Sequence, residues 1–346
     1  LAKNFQPTVD LVKEILLEPR WDAKEFDLIR QSILSQLKQQ EGDPNSLAQQ
    51  QYNELIYGRS NIRSRNILGS SASIKDITLD DLKNYYSSYI SPSVTRVHVV
   101  GAIDQTKISA GLNKLAADWK AKKVEIPAWS IAQESGKAKV FFFDVPDAKQ
   151  SVLRIGYPAL SATDPDYYPA VVMNYILGGG GFASQLTQQL REGKGYTYGI
   201  FSGFSGTNTP GPFTIASGVR SNVTYESSQL IKDILENYGK NYSAEDLATT
   251  KSFLVKSNAR AFETTGAKLN MLENISSYGW KPNYVLDREK IVKDMTVEKI
   301  KSLSNRYLDT NRMVWLVVGD AKTQLEPLKK LGLGDPVLLN PPTKGF

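Results

Sequence analysis

Arg191 and Tyr198 are the side chains whose types and spacing best suit chemistry. They lie seven positions apart, where a predicted helix ends at Arg191 and a predicted strand begins at Tyr198. A guanidinium presents N–H donors in a planar fork and a phenol presents one O–H, so both can bind a carbonyl or carboxylate oxygen. The same residue types also occur as surface arginines and packing aromatics. The spacing alone leaves both interpretations open.

A run of glycines precedes this pair: Gly178, Gly179, Gly180 and Gly181. Consecutive glycines let the backbone turn sharply between two predicted helices and approach a ligand closely. A helix C-cap is the structural alternative. Phosphate binding is disfavoured, because the run has neither a preceding strand nor a following Gly-Lys-Ser/Thr sequence. We therefore interpret the four glycines as a loop that supports the pair that follows.

Composition excludes several other kinds of site. The 346 residues contain no cysteine, which removes disulfides, thiolate nucleophiles and cysteine-bearing zinc sites. The one histidine, His98, cannot form a site with two imidazoles, and between Val97 and Val99 in a predicted strand we interpret it as structural. The excess of 42 Lys plus Arg over 36 Asp plus Glu is scattered, so nucleic-acid binding is not predicted. The apolar runs are too short to span a membrane.

An internal repeat organises the chain. Residues 77–102 align without a gap on residues 295–320, and the Val-Val-Gly sequences that end at Gly101 and Gly319 are identical. Each copy predicts a helix capped by threonine, a turn, and a β-branched strand that ends in glycine. About 80 further residues before the second copy have no counterpart before the first. We therefore expect the first domain to lack its first half.

The pattern of elements predicts an α+β fold in which one layered domain occurs twice. The predicted domains are residues 1–118, as the C-terminal half of the first domain, and residues 138–334, as the second domain. Residues 119–137 are predicted as a linker and residues 335–346 as a tail. The helical pattern predicts helices at residues 5–18, 22–41, 78–90, 106–118, 165–178, 183–193, 225–238, 244–262, 266–278 and 296–307.

Residues 177–199, LGGGGFASQLTQQLREGKGYTYG, resemble the second-domain signature of the insulinase/pitrilysin family of zinc metallopeptidases. That signature reads close to LGGG-x-x-S-x-L-x-x-x-LRE-x-x-G-x-TYG, and nearly every fixed position is present. The domain repeat and residues 10–44 are also similar to members of the family. The resemblance implies two homologous two-layer α/β-sandwich domains, the first of them incomplete. It also implies that Arg191 and Tyr198 bind the backbone of a peptide substrate.

The same resemblance implies that zinc is bound outside this chain. Active members have His-x-x-Glu-His in the first half of the first domain and a third ligand, a glutamate, on a later helix. The resemblance aligns that glutamate with Ile29, and isoleucine cannot bind zinc. Glu25 and Asp27 are displaced from this position by four and two residues on the predicted helix. We therefore expect no catalytic residue, metal ligand or bound cofactor in this chain, and zinc in a partner subunit or in the segment missing from the first domain.

The leading hypothesis is a non-catalytic, peptide-gripping subunit or half of an insulinase-like zinc metallopeptidase. Two alternatives are a fragment of an active zinc metallopeptidase and a structural scaffold like the core proteins of the cytochrome bc1 complex. Whether the chain is an enzyme stays open. The expected partners are a peptide or unfolded polypeptide and a zinc-bearing homologous subunit or a second copy of the chain. Relatives with this layout are often exported, which favours the bacterial periplasm or cell envelope over the cytoplasm.

Overall fold

The computed structural model describes residues 1–127, 139–260 and 262–339. Two compact units are present, and each combines separate stretches of the chain. The described residues of unit 1 lie within the ranges 1–37, 68–129 and 260–279, and those of unit 2 within 38–67, 130–259 and 280–346. Residues of both predicted domains therefore occur in each unit.

The two units do not coincide with the predicted domains, whose boundaries stay a prediction. Residues 38–67, predicted in the first domain, lie in unit 2, and residues 260–279, predicted in the second domain, lie in unit 1. Part of the predicted linker, residues 128–137, and part of the predicted tail, residues 340–346, lie outside the described residues.

Helices form most of the described elements. In chain order they are α1 (Phe5–Leu17), α2 (Ala23–Glu41), α3 (Pro44–Tyr57), α4 (Ser71–Asp76), α5 (Leu79–Tyr89), α6 (Gln105–Asp118), α7 (Tyr167–Asn174), α8 (Thr224–Asn241), α9 (Ala244–Arg260), α10 (Thr265–Tyr278), α11 (Tyr284–Asp294), α12 (Val297–Tyr307) and α13 (Ala321–Gln324). Two π-helical turns, Tyr175–Gly179 and Thr187–Gly193, occupy parts of the helices predicted at 165–178 and 183–193. The predicted helices are confirmed, whereas α3, α4, α11 and α13 were not predicted. Across the described ranges, no helix is long and apolar enough to cross a membrane.

Unit 2 contains a six-stranded mixed sheet with the strand order β3-β4-β2-β5-β1-β6. The strands are β1 (Lys139–Asp144), β2 (Gln150–Leu160), β3 (Thr197–Phe204), β4 (Gly211–Arg220), β5 (Val314–Gly319) and β6 (Val337–Leu339). β1 runs parallel to β5 and β6, while β2 is antiparallel to β4 and β5, and β3 is antiparallel to β4. β3 is therefore an outer strand of the sheet.

Alternate residues of the strands point to opposite faces of this sheet. One face packs on helices of unit 2 and forms the larger core, which includes Phe142, Leu153, Phe213 and Trp315. The other face packs on α3, where Leu47, Ala48, Tyr52 and Ile56 lie against Phe143, Val152, Leu316 and Val318. Unit 2 thus has helices on both faces of one sheet.

Helix α3 begins at a well-formed cap. Asp43 accepts hydrogen bonds from Ser46 N (2.8 Å) and from Ser46 Oγ (2.7 Å), and Pro44 occupies the first turn, where its missing N–H costs nothing. The bond from the Ser46 hydroxyl lowers the pKa of the Asp43 carboxyl below its ordinary value. Further along the helix, the buried Tyr52 hydroxyl donates to Phe213 O (3.2 Å). This bond ties α3 to β4.

The prediction of a strand near His98, in the first repeat copy, is wrong. Residues 95–100 form no strand, and instead Arg96 donates to Ser276 O and His98 Nε2 lies 2.9 Å from Ser276 Oγ. A strand needs a neighbouring strand to pair its N–H and C=O groups, and the six strands of the described chain all lie in unit 2. The α+β class is confirmed. In the described residues of unit 1, the structure shows helices and the segments that connect them, and no strand.

We expect Gly156→Ala to destabilise unit 2. Gly156 has φ +152°, and a Cβ there would lie 1.9 Å from Phe213 O and 2.5 Å from Tyr52 Oη, so β4 and α3 would have to move. The free energy of unfolding should fall by about 3 kcal/mol or more. Urea denaturation measures the change.

Gly203→Ala is the matched control. Gly203 pairs with Thr214, which also pairs with Gly156, yet a Cβ on Gly203 would have nothing within 4 Å. Its free energy of unfolding should change by less than about 1 kcal/mol. Equal losses in the two variants would contradict this account of the packing.

Candidate functional site

The glycine run lies against β3. A Cβ at Gly178 would be 2.3 Å from Ser202 Oγ and 2.7 Å from Ser202 N, so any larger residue would push the turn away from the strand. Cβ atoms at Gly179 and Gly180 would lie 2.8 and 2.7 Å from atoms of the preceding helical turn. A close approach within the chain therefore explains these three glycines. That they and Gly181 support a ligand-binding site stays a prediction.

A buried pair of polar side chains joins the end of α7 to β3. Asn174 Nδ2 donates to Ser202 O (2.7 Å), and Ser202 Oγ donates to Asn174 Oδ1 (2.5 Å). Both residues are buried, so each bond satisfies a polar group that would otherwise be removed from water without a partner. The pair fixes the glycine run in place on the strand.

Side-chain hydrogen bonds also hold the loop between the two π-helical turns. Ser184 Oγ donates to Gly181 O (2.8 Å), and Gln188 Nε2 donates to Phe182 O (2.6 Å). The loop directs Phe182 outward, where its side chain is 63% exposed. The guanidinium of Arg191 lies over this ring, 4.8 Å from its centre. An exposed aromatic side chain therefore orients Arg191 by a cation–π contact.

Arg191 itself lies in the π-helical turn Thr187–Gly193 and is partly exposed. Its Nε is 3.5 Å from Glu192 Oε1. A solvent-exposed ion pair of this length contributes little to stability. Because a guanidinium has five N–H donors, the contact with Glu192 leaves donors for a ligand.

A β-bulge at the start of β3 presents Tyr198. Thr197 pairs with Val219 and Ile200 pairs with Ser217, so β3 has one residue more than β4 between these pairs. Tyr198 lies in the bulge with its side chain 91% exposed. It is therefore not a packing aromatic, which was the structural alternative left open by the sequence.

Two hydroxyl groups satisfy the backbone of the bulge. Thr197 Oγ1 accepts a hydrogen bond from Gly199 N (3.0 Å) and lies 2.6 Å from Gly218 O, to which it donates. Ser217 Oγ donates to Gly199 O (3.0 Å). The bulge is thus a defined local structure and not a loose end of the strand. It fixes the backbone that carries Tyr198.

The outer edge of β3 is partly covered beyond the bulge. Three alternate carbonyl groups accept side-chain hydrogen bonds: Ile200 O from Thr187 Oγ1 (3.4 Å), Ser202 O from Asn174 Nδ2 (2.7 Å) and Phe204 O from Tyr167 Oη (3.2 Å). Side-chain coverage of this kind reduces the tendency of an edge strand to pair with another strand. The bulge lies before the covered part.

A tight turn brings the segments of Arg191 and Tyr198 together. Gly195 N donates to Arg191 O (3.0 Å), and Tyr196 N donates to Leu190 O (2.9 Å), so the end of the π-helical turn leads directly into β3. Arg191, which is partly exposed, and Tyr198, which is exposed, therefore lie on adjoining segments of the chain. Such an arrangement can bind a carbonyl or carboxylate oxygen.

Sequence reasoning missed Phe182, Asn174, Thr197 and Ser217 as parts of this site. An aromatic residue inside a glycine-rich loop is a signal that could have identified Phe182. The other three act through hydrogen bonds to residues 18 to 28 positions away, as in the bond from Asn174 to Ser202. The sequence contains no signal for these bonds, because they depend on strand register.

The predicted zinc-ligand position does not fit a metal. Ile29 lies on α2 with its side chain 58% exposed, and it has no donor atom. Asp27 forms an ion pair with Arg30, in which Oδ1 lies 2.6 Å from Arg30 Nη2. Glu25 lies in the first turn of the helix. Within the described ranges, no group of three or more His, Cys, Asp or Glu residues could hold a metal ion.

Comparisons with known proteins agree with the sequence resemblance. The family described as the peptidase M16 inactive domain matches residues 76–254, just over half of the chain. A non-peptidase homolog, YmxG, of Helicobacter pylori is 25% identical over 93% of this chain and 74% of its own length. An uncharacterized zinc protease of Streptomyces coelicolor is 25% identical over 79% of this chain, which spans 60% of that protein. A solved structure of a peptidase M16 inactive domain from Pseudomonas fluorescens has a TM-score of 0.84 at 25% identity, covering 92% of this chain and 76% of that chain.

We expect Thr197→Val to loosen the bulge. Valine preserves the shape of the side chain but removes the oxygen that accepts from Gly199 N. The free energy of unfolding should fall by about 1 to 2 kcal/mol, and the Gly199 amide should exchange faster with deuterium. Gly203, further along β3, is the internal control. Unchanged exchange at Gly199 would show that the hydroxyl does not hold the bulge.

Proposed function

Because the chain belongs to the family of the peptidase M16 inactive domain, we propose that it is a non-catalytic, peptide-gripping subunit or half of a zinc metallopeptidase. The resemblance to the insulinase/pitrilysin peptidases is confirmed at the level of the family. The observation that best supports the finer proposal is the exposure of Tyr198 on a hydrogen-bonded bulge beside the turn of Arg191. A phenol at such a position has no packing role within the described chain.

In this proposal, the two side chains bind the backbone of an extended peptide. Arg191 donates N–H groups to a peptide carbonyl, and Tyr198 donates its hydroxyl to the same or a neighbouring carbonyl oxygen. Donors fixed by surrounding structure stabilise negative charge that develops on such an oxygen during hydrolysis. Phe182 contacts the guanidinium of Arg191, and the bulge hydroxyls fix the backbone that carries Tyr198 before the peptide arrives.

The proposed division of labour places hydrolysis in a zinc-bearing homologous subunit. The relative from Helicobacter pylori is named a non-peptidase homolog, which supports a role without hydrolysis. Ile29 supports the same role, because its side chain offers no ligand atom. This chain would then contribute binding and orientation to the shared reaction.

A second candidate is a part of an active zinc metallopeptidase. The relative from Streptomyces coelicolor is named a zinc protease, and this chain spans 60% of it. This candidate requires that the gene encodes zinc ligands in addition to the 346 residues of the chain. Sequencing the gene and measuring zinc in the full-length product distinguish it from the first proposal.

We expect Arg191→Ala and Tyr198→Phe to lower peptide cleavage by the mixture of this chain with its zinc-bearing homologue. Loss of one fixed donor should reduce kcat/KM by about 100-fold, because the donor acts on charge at the scissile carbonyl. Initial rates on a fluorogenic peptide measure the change.

Two exposed residues provide the controls for this experiment. Arg59, which pairs with Glu54 at 3.1 Å, matches Arg191, and Tyr85 matches Tyr198. Arg59→Ala and Tyr85→Phe should leave the rate within twofold of the wild-type rate. If Arg191→Ala and Tyr198→Phe do the same, or if the wild-type chain adds nothing to the zinc subunit, the gripping role is wrong.

A further inference from the structure

Arg154, in the middle of β2, has no anionic partner among the residues that the structure describes. Its Nε is buried and has no hydrogen-bond partner. Burial lowers the pKa of the guanidinium from its ordinary value. The residue as a whole is only partly buried, and Nε is the polar atom that is removed from water without a partner, which is unfavourable. Such an arginine is a candidate site for an anion supplied by a ligand.

The side chain of Arg154 lies on the sheet face opposite the larger core. Its neighbours Leu153 and Ile155 both belong to that core, so the alternation of β2 directs Arg154 to the other face. Arg154 pairs with Ala216 on β4, and Ala216 pairs with Phe201 on β3. These three residues therefore form one row across three strands.

This row crosses a part of the sheet with small residues in its middle strand. On β4, Ala216 is followed on the same face by Gly218, which is exposed. On β3, Phe201 is 59% exposed although it is a large apolar residue. We call Arg154, Ala216, Gly218 and Phe201 the Arg154 face. Arg154 and Phe201 lie two strand spacings apart, or about 10 Å, on either side of Ala216, which is buried, while Gly218 next to it on this face is open to solvent.

Tyr198 belongs to the same side of β3. In a bulge of this kind, both inserted positions direct their side chains to one face, and Ile200 next to them is buried in the larger core. Tyr198 and Phe201 therefore share the face that Arg154 occupies. A peptide bound at Tyr198 can continue along β4 towards Arg154.

We propose that the Arg154 face binds an acidic side chain of the same peptide that Arg191 and Tyr198 hold. The carboxylate accepts N–H groups from the Arg154 fork, and a neighbouring apolar side chain packs on Phe201. Charge complementarity supports this occupant, because the guanidinium has no anionic partner among the described residues and its Nε has no hydrogen-bond partner. The inference rests on the proposed function and adds a preference for acidic peptides.

The test compares two blocked nonapeptides that are identical except for a central Glu or Gln, each with apolar residues on both sides. Binding to the intact chain is followed by fluorescence anisotropy. The wild-type chain should bind the Glu peptide at least about tenfold more tightly than the Gln peptide. A hydrogen bond to a charged group is stronger than one to a neutral group, and the difference in binding free energy corresponds to about this change in Kd. Arg154→Gln should abolish the difference and leave the Gln peptide unaffected.

Two further variants sharpen this test. Arg154→Lys should retain part of the preference, because lysine keeps the charge but loses the fork. Arg220, four residues beyond Ala216 on β4, is exposed on the same face, and Arg220→Gln is the matched control that should keep the full preference. Thermal unfolding of Arg154→Gln should show equal or greater stability, because the buried Nε that has no partner is removed.

The outcomes separate this inference from the proposed function. Equal binding of the two peptides by the wild-type chain, or a preference that persists in Arg154→Gln, overturns the inference alone. If Arg191→Ala and Tyr198→Phe leave binding unchanged while the Glu preference depends on Arg154, the proposed function is wrong and the acidic site stands. If the wild-type chain binds neither peptide, both are wrong.

Discussion

The structure of the candidate site depends on the close approach of Gly178 to Ser202. A side chain at position 178 would overlap Ser202, and the buried hydrogen bonds between Asn174 and Ser202 close the same contact from the side of α7. This contact fixes where the glycine run after α7 lies against β3. It also helps to determine the positions of Arg191 and Tyr198, because the chain runs from the glycine run through a short helical turn into β3, the strand that contains Ser202.

The sheet of unit 2 has two unlike faces, and this difference has functional consequences. One face is covered by the larger helical core, while α3 covers part of the other through Tyr52 and its neighbours. Towards β3, the second face exposes Phe201 and Tyr198. We propose that these exposed aromatic side chains belong to a binding surface. In our proposal, Arg154, whose Nε is buried without a partner, adds a preference for acidic side chains to that surface.

The sequence predicts much of this molecule, but it does not predict contacts that depend on distant pairing. Most helices and the β5 strand follow from local periodicity, whereas the role of the Arg191/Tyr198 segment was implied only by the resemblance to a known family. Helix α3 was missed because three consecutive glutamines, of which Gln51 is buried, interrupt its apolar pattern. The strand near His98 was predicted from β-branched residues, yet the described part of unit 1 offers it no neighbouring strand. The bulge at Tyr198 arises from the register of β3 on β4 and has no local signature.

The central claim is that the loop and bulge around Arg191 and Tyr198 bind an unfolded polypeptide. Hydrogen–deuterium exchange of the chain, with and without a reduced and carboxymethylated polypeptide in excess, tests this claim most directly. We predict slower exchange at Gly199 and in the segment from Phe182 to Arg191, and unchanged exchange in α10 of unit 1. Binding that slows exchange elsewhere while Gly199 and the loop remain unchanged would contradict the account.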